Sequence, residues 1–256
     1  MKGIKPNSML ATVFWLISSY HDAQAALTAE TVNGANLVYD SGINAAWAAN
    51  ANLLGTMESS AIAQYGSDIS VINAIIAANA GVVHDAPDLF DNGTYTLSAS
   101  DFNANGQGTA DLWGAEAFVR YLNSIHYAGT ANWSLPSTPN QEGGYNISAS
   151  QLGELFYTEL DGSAYYDIPG NSFFSNYQFH MFWLGTQNAS SSNYEWYFYT
   201  GDGDQNTGYK NLQMYTWAVV SGNVTSIPVP GAFWLFAAGI AGYFGLSKRK
   251  GRKQSV

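Results

Sequence analysis

Residues 194–199 read YEWYFY, a period-two alternation that is typical of a β-strand with one buried face. Residues 214–220 (MYTWAVV) alternate in the same way and predict a second strand. The two faces of the first strand would carry Tyr194, Trp196 and Phe198 on one side and Glu195, Tyr197 and Tyr199 on the other. A meander of antiparallel strands is therefore expected in the last third of the chain.

Helical spacing replaces this alternation earlier in the chain. Three helices are predicted from the spacing of their apolar residues, at residues 67–80, 109–124 and 150–160. Ser67 and Ser150 are the predicted N-caps of the first and third helix. Three short strands are predicted as well, at residues 36–40, 45–49 and 95–97, with a turn at Asp40. This order predicts an α+β domain with an antiparallel sheet and three helices. The tryptophans expected in its core are Trp133, Trp183, Trp196 and Trp217.

Charge is distributed unevenly along the chain. Seven of the nine basic residues lie near the two ends, and only Arg120 and Lys210 lie between them. That middle part also holds eighteen acidic residues, which gives it a formal net charge of −16. Binding to nucleic acid or to anionic lipid depends on Lys and Arg that neutralise phosphate, so the composition argues against both. Cysteine is absent, which excludes disulfides and thiolate metal sites.

The first 25 residues have the three parts of a secretory signal peptide. Lys2 and Lys5 precede an apolar stretch at residues 9–17 (MLATVFWLI), and residues 23–25 (AQA) form a small-x-small cleavage site. The apolar stretch is too short to span a bilayer, which argues against an uncleaved anchor. Signal peptidase is therefore expected to cut before Ala26.

The C-terminal segment joins an apolar stretch to a basic cluster. Residues 231–246 (GAFWLFAAGIAGYFGL) carry no charge, and as a helix they would be about 24 Å long, short of the roughly 30 Å hydrocarbon core. The basic residues that follow are expected to stay in the cytoplasm. A short transmembrane helix at 231–246 would then place the domain of residues 26–226 outside the cytoplasm. A helix buried within the globular domain is the alternative.

The order of these features resembles the PEP-CTERM sorting signal in its V-P-x-P-G-x-x-W-L-F variant. Residues 227–236 read IPVPGAFWLF, with Val229 where the eponymous motif has glutamate, and the resemblance covers residues 227–256. It implies a membrane-anchored intermediate that the protease exosortase cuts near the proline motif, in bacteria that make extracellular polysaccharide. The residues that would carry the signal are Pro228, Pro230, Gly231, Trp234, Lys248, Arg249 and Lys250.

Six segments, in order along the domain, resemble the Lcl C-terminal domain family, which is placed with the C-type-lectin-like folds. The segments are residues 37–40 (LVYD) with Trp47, 113–117 (WGAEA), 132–137 (NWSLPS), 151–156 (QLGELF), 174–176 (FSN) with 182–186 (FWLGT), and 215–222 (YTWAVVSG). The resemblance implies a lectin-like domain of an exported protein, and the adhesin that names the family is associated with polyanionic glycans. Ser134 and Val220 stand where the family usually has arginine, so acidic glycans are not expected ligands here.

Catalytic motifs are absent from the sequence: it has no nucleophile elbow, P-loop, dinucleotide fingerprint or HExxH. The histidines of the domain, at 84, 126 and 180, are far apart, so no catalytic metal site is indicated. Acidic residues are numerous, however, and a glycosidase needs only two at a suitable separation. Glu154 and Glu159 lie five residues apart in the third predicted helix, and a regular α-helix would place them on different faces.

Two Asp/Asn-rich segments have the alternating oxygen spacing of a calcium-binding loop. In the first segment Gly106 suits such a loop, but Leu112 occupies the position of the bidentate glutamate. Plain turns are the alternative for both segments, and no other cofactor is indicated. The candidate calcium ligands are Asp101, Asn103 and Asn105 in the first segment and Asp202, Asp204 and Asn206 in the second.

Three tyrosines beside the second segment are candidates for glycan contact, because aromatic rings stack on sugars: Tyr197, Tyr199 and Tyr209. Together these features indicate a non-enzymatic surface or biofilm-matrix protein that is sorted by exosortase and binds a glycan or a protein partner. Two alternatives stay open. A hydrolase of extracellular polysaccharide would need a cleft with two facing carboxylates, one of raised pKa. A self-associating matrix protein would show a flat apolar patch.

Overall fold

The computed structural model describes residues 27–103 and 105–224. The predicted signal peptide, transmembrane helix and sorting residues lie outside these ranges and stay predictions. The longest helices of the described part have 13 residues, and none combines the length and apolar character that a bilayer crossing requires.

Four α-helices and twelve β-strands make up the described part of the chain. The helices are α1 (Leu53–Tyr65), α2 (Ile69–Ala78), α3 (Leu112–Ser124) and α4 (Gln151–Glu154). The first seven strands are β1 (Leu27–Val32), β2 (Ala35–Asp40), β3 (Ala45–Ala48), β4 (Val82–Val83), β5 (Tyr95–Thr96), β6 (Thr109–Ala110) and β7 (Trp133–Ser134). The last five are β8 (Met181–Gln187), β9 (Tyr194–Tyr199), β10 (Asp204–Tyr209), β11 (Met214–Tyr215) and β12 (Val219–Ser221).

The strands form two five-stranded sheets and one two-stranded sheet, β4–β5. The first large sheet has the order β1-β2-β3-β12-β7 and is antiparallel throughout. The second has the order β10-β9-β8-β11-β6 and contains one parallel pair, β8–β11. The predicted α+β class with antiparallel sheets is thereby confirmed.

The central strands of the first sheet, β2, β3 and β12, are buried on both faces. Leu37 and Val220 pack on one side in the cluster that contains α3 residues such as Phe118. Their neighbours Val38 and Val219 pack on the other side, with residues of the second sheet.

Trp217 is the centre of the second of these clusters. Its ring lies 5.4 Å from Trp47, 4.9 Å from Phe174 and 5.6 Å from Phe182 between centroids, and its Nε1 donates to the Ala48 carbonyl at 3.0 Å. The expectation that the domain's tryptophans fill its core is confirmed, since the exposed fractions of Trp133, Trp183, Trp196 and Trp217 are 3%, 0%, 8% and 0%.

One helix was not expected from the sequence, so the predicted number of three helices is wrong. The three predicted helices correspond to α2, α3 and α4, whereas α1 lies in a stretch without apolar periodicity. The buried face of α1 includes Gly55 and Ala61, which are small, and Glu58, whose Oε2 accepts a hydrogen bond from the Gly108 amide at 3.0 Å. Small and charged side chains on a buried face leave no hydrophobic period to detect.

The strands of the last third differ from expectation in one respect. The strand predicted at 194–199 is β9, and its Trp196 and Phe198 are buried on one face as expected. The single strand predicted at 214–220 is wrong, because the chain there forms two short strands in different sheets, β11 and β12. The buried Trp217 lies between them, where the chain passes from one sheet to the other.

The third predicted helix begins as expected and then widens. Ser150 caps α4, since its Oγ accepts a hydrogen bond from the Gly153 amide at 3.0 Å. A turn of π-helix at Leu155–Glu159 follows directly, in which the Leu160 amide donates to the Leu155 carbonyl, five residues back, at 3.0 Å. Such single π-turns insert one residue into a helix and shift the side chains that follow it.

This π-turn changes the positions of two glutamates. Glu154 and Glu159 each place a carboxylate oxygen within 4.8 Å of the other and of an Asp40 oxygen. The prediction that the two glutamates lie on different faces is therefore wrong. It assumed the period of 3.6 residues, whereas a turn with i to i+5 hydrogen bonds brings residues five apart to the same side.

Candidate functional site

A groove of about 840 Å³ lies at one end of the first sheet. Its walls come from the β1–β2 hairpin, from residues 49–53, from the turn at residues 125–128 and from residues 172–175. The residues that give the groove its chemistry are Glu30, Asn33, Asn50, His126, Tyr127 and Phe173.

A tight turn between β1 and β2 forms one wall of the groove. Asn33 and Gly34 connect the paired residues Val32 and Ala35, and both have positive φ, 50° and 84°. This pair suits a two-residue hairpin of type I′, which needs positive φ at both central positions. The Asn33 Nδ2 donates to the Ala128 carbonyl at 3.0 Å and so ties the hairpin to the opposite wall.

The opposite wall holds strained backbone. His126 and Ala128 have φ values of 51° and 56°, a region that side chains with a Cβ rarely adopt. Between them, the Tyr127 carbonyl accepts a hydrogen bond from the Trp133 Nε1 at 2.9 Å, which anchors the turn to the core. Strained residues of this kind persist where the surrounding structure holds them, and they concentrate at binding sites.

The third wall offers an aromatic ring beside amides. Phe173 is 36% exposed, while its neighbour Phe174 is 5% exposed and packs on Trp217. Nearby, the Asn50 Nδ2 donates to the Thr56 Oγ1 at 2.7 Å, so this amide is held in place. Amide groups donate to and accept from hydroxyl groups, and an exposed ring offers an apolar platform, so the groove can bind an uncharged polyhydroxylated ligand.

Both basic residues of the described part of the chain are paired. The Arg120 guanidinium contacts Glu116 at 2.9 Å on the surface of α3. Lys210 is 1% exposed, and its Nζ contacts the carboxylates of Asp85 and Asp88 at 2.6 and 2.9 Å. Burial opposes its charge, but the two aspartates outweigh this and hold the pKa of Lys210 above its usual range. A polyanionic ligand would therefore meet no unpaired Lys or Arg among these residues.

The three candidate tyrosines lie on the second sheet and do not line the groove. Tyr197 is half-buried against the core, and the Tyr199 ring lies 6.4 Å from the ring of His180. Tyr209 is 44% exposed and stacks on Tyr194, with 4.3 Å between ring centroids. Tyr209 is thus the most accessible of the three, and its ring already has a partner.

The first candidate calcium segment uses its aspartate for local structure. The Asp101 Oδ2 accepts from the Ser98 amide at 2.7 Å, and its Oδ1 accepts from the Tyr95 hydroxyl at 3.0 Å. The Asn103 Nδ2 donates to the Gln107 side chain at 3.0 Å, and the Asn105 amide donates to Asp68 at 2.7 Å. These bonds form a capped turn, and they occupy both carboxylate oxygens of Asp101.

The second candidate segment is also hydrogen-bonded internally. The Asp202 Oδ1 accepts from the Asp204 amide at 2.9 Å, and its Oδ2 accepts from the Tyr145 hydroxyl at 3.1 Å. The Asp204 Oδ2 accepts from the Asn206 Nδ2 at 3.4 Å. This pattern matches an Asp-initiated turn at the start of β10.

A cluster of carboxylates that was not expected from the sequence joins Asp40 to Glu154 and Glu159. Asp40 ends β2, Glu154 directly precedes the π-turn, and Glu159 is its last residue. Burial, with Asp40 and Glu159 adding repulsion, raises the pKa of Glu154 to about 8. Burial and Asp40 raise the pKa of Glu159 as well. The sequence holds no signal for this cluster, because the π-turn has no recognisable pattern.

Comparison of the chain with protein-family models, with curated proteins and with solved structures finds no match in any of the three.

Proposed function

We propose that this chain is an exported surface or matrix protein, sorted by exosortase, and that its C-type-lectin-like domain binds a neutral glycan without chemical conversion. The groove at the end of the first sheet is the observation that carries this proposal. It places the side-chain amides of Asn33 and Asn50, whose orientations are fixed by hydrogen bonds within the protein, next to the accessible ring of Phe173.

The preference for an uncharged ligand follows from the charges around the groove. Glu30 is the single carboxylate among its lining residues, and neither Arg120 nor Lys210 is one of them. A sulfated or uronic-acid chain would have to approach a domain of net charge −16 with no compensating cation. A neutral oligosaccharide does not meet this electrostatic repulsion.

The same lining residues argue for binding and against hydrolysis. A glycosidase needs two carboxylates on either side of the bond that it cleaves, and the groove supplies Glu30 alone. The clustered carboxylates Asp40, Glu154 and Glu159 belong to a different part of the fold and are not lining residues of the groove. Within that cluster, burial raises the pKa of the two glutamates.

The groove is tested by a glycan array with the full chain and with single-residue variants. We expect binding to neutral oligosaccharides, and we expect Phe173→Ala to weaken it at least tenfold, or by about 1.4 kcal/mol, because the apolar platform is removed. Phe179→Ala is the matched control, since Phe179 is 51% exposed and lies outside the groove. Tyr209→Ala tests the alternative that the glycan binds the second sheet, where the candidate tyrosines lie. Binding that survives Phe173→Ala but not Tyr209→Ala would assign the site to the second sheet.

Export is tested separately with alkaline phosphatase, which is active outside the cytoplasm, fused after Val224. We expect activity in the intact chain and none after removal of residues 1–25. We also expect a chain that ends at Val224 to move from the membrane fraction to the soluble exported fraction, because the predicted anchor and basic cluster are missing. Activity confined to the cell interior would contradict the predicted topology, and glycan binding in the array would be unaffected by that result.

A further inference from the structure

Three acidic side chains converge where β2 ends beside the π-turn. Asp40, Glu154 and Glu159 each contribute a carboxylate oxygen, and these atoms all lie within 4.8 Å of one another. Like charges at this distance repel strongly when water is excluded. Either a proton shared between two of the carboxyl groups or a bound cation can balance this charge.

Each of the three residues also has a buried oxygen with no hydrogen-bond partner: Asp40 Oδ2, Glu154 Oε2 and Glu159 Oε1. Asp40 is 0% exposed, and its other oxygen, Oδ1, accepts from the amides of Gly42 and Ile43 at 2.9 and 3.3 Å. That turn holds the side chain in place while Oδ2 stays without a donor. Buried carboxylate oxygens without a donor are rare because they cost several kcal/mol, and a bound ion is one ordinary way to satisfy them.

A second carboxylate cluster shows what such an arrangement needs. Asp85, Asp88 and Asp91 each also contribute a carboxylate oxygen, and these oxygens lie within 4.8 Å of one another. There the Lys210 Nζ contacts two of the three carboxylates. At Asp40 no protein cation takes this place, because the two basic residues of the described ranges are paired elsewhere. One cluster thus has a cation from the chain, and the other has none.

We propose that Asp40, Glu154 and Glu159 bind a divalent cation of the calcium class. Calcium prefers carboxylate oxygens at 2.3–2.6 Å, so its opposite ligands lie up to about 5 Å apart, which agrees with the spacing of these oxygens. Magnesium needs bonds of about 2.1 Å and a more contracted set of ligands. The ion would fasten β2 to the π-turn and so link the first sheet to the helical segment.

The test uses the full chain, stripped with EDTA and then titrated with CaCl₂ at neutral pH, with calorimetry and thermal unfolding as the measurements. We expect one bound calcium and a rise in Tm of about 5 °C or more when free calcium is 100-fold above Kd. MgCl₂ at the same concentrations should give a smaller shift. Glu154→Gln with Glu159→Gln should remove the calcium response and, in EDTA, should not lower Tm, since the variant relieves the repulsion.

The matched control is Glu142→Gln with Asp167→Asn, which makes the same change of charge at two exposed positions and should keep the calcium response. Asp40→Asn is a further variant that retains the Oδ1 acceptor of the turn, so it is expected to fold and to weaken calcium binding at least tenfold. The proposal is overturned if the wild-type chain binds no calcium at 1 mM, or if Asp40→Asn binds it as tightly as the wild type. These measurements involve no glycan, so their outcome is independent of the proposed function.

Discussion

Replacing Lys210 with methionine is expected to lower the free energy of unfolding by about 3–5 kcal/mol, because the change leaves buried aspartates without their cation. The Lys210 Nζ contacts Asp85 and Asp88 at 2.6 and 2.9 Å, and the Asp88 side chain is 0% exposed. The Trp113 Nε1 also donates to Asp85 at 3.1 Å, so the charge is held next to the core. Urea unfolding of the wild-type and variant proteins at neutral pH measures the difference.

Arg120→Met is the matched control, since Arg120 is the other basic residue of the described part. Its pair with Glu116 is solvent-accessible, with the arginine side chain 43% exposed, and surface pairs of this kind contribute about 0–1 kcal/mol. A loss for Lys210→Met no larger than that for Arg120→Met would contradict the structural role given to Lys210. Adding Asp85→Asn and Asp88→Asn to Lys210→Met should restore part of the loss, because the buried charges are removed as well.

Replacing Asp111 with asparagine is expected to stabilise the protein by several kcal/mol at pH 9 and to change its stability little at pH 4. Asp111 is 4% exposed and caps α3, with its Oδ1 accepting from the Gly114 amide at 2.9 Å. Burial raises the pKa of Asp111 from 3.8 to about 8, against the lowering effect of the Gly114 bond. Asparagine keeps the capping acceptor but has no charge to bury.

The direction of this pH dependence follows from proton binding by Asp111 in the folded and unfolded chains. Below pH 4 the carboxyl group is protonated in both the folded and the unfolded chain. Between about pH 4 and pH 8 the unfolded chain has released the proton and the folded chain retains it. Stability therefore falls by about 1.4 kcal/mol for each pH unit in this window, and it levels off above pH 8.

Unfolding free energies at pH 4, 6, 8 and 9 test this prediction. The difference between Asp111→Asn and the wild type should grow through that range and then become constant. Asp161→Asn removes an exposed carboxylate and should give a profile parallel to that of the wild type. If Asp111→Asn also runs parallel to the wild type from pH 4 to pH 9, the buried carboxyl group is not linked to stability in this way.

Much of the fold was predictable because its signals are local. The alternation in YEWYFY predicted β9 with correct bounds, and the spacing of apolar residues predicted α2 and α3 to within a few residues. The prediction failed for α1, where Glu58 lies on the buried face. It also failed for the segment around Trp217, where one alternating stretch forms two strands, β11 and β12, that belong to different sheets. In both places contacts with distant segments overrode the local pattern.

The groove was not predictable from the sequence because its walls belong to different parts of the chain. Asn33 lies in a hairpin near the start of the domain, Ala128 follows α3, and Phe173 lies in a loop before β8. Among the candidate residues named from the sequence, Tyr209 is accessible, but it lies on the second sheet. Glycan contact was expected from the number of aromatic residues. The groove is instead formed where the ring of Phe173 and the side-chain amides of Asn33 and Asn50 come together in the fold.

The sequence by itself determined the fold class and the residues of the core, because hydrophobic period and side-chain size act between neighbours along the chain. It also determined the charge of the domain, and with it the class of ligand that the composition argues against. Only the tertiary structure decided which carboxylates share a site and which of them receives Lys210. Desolvation and charge pairing depend on residues such as Asp40 and Glu154, which the fold brings together from distant segments, so their energies cannot be assigned before the chain is folded.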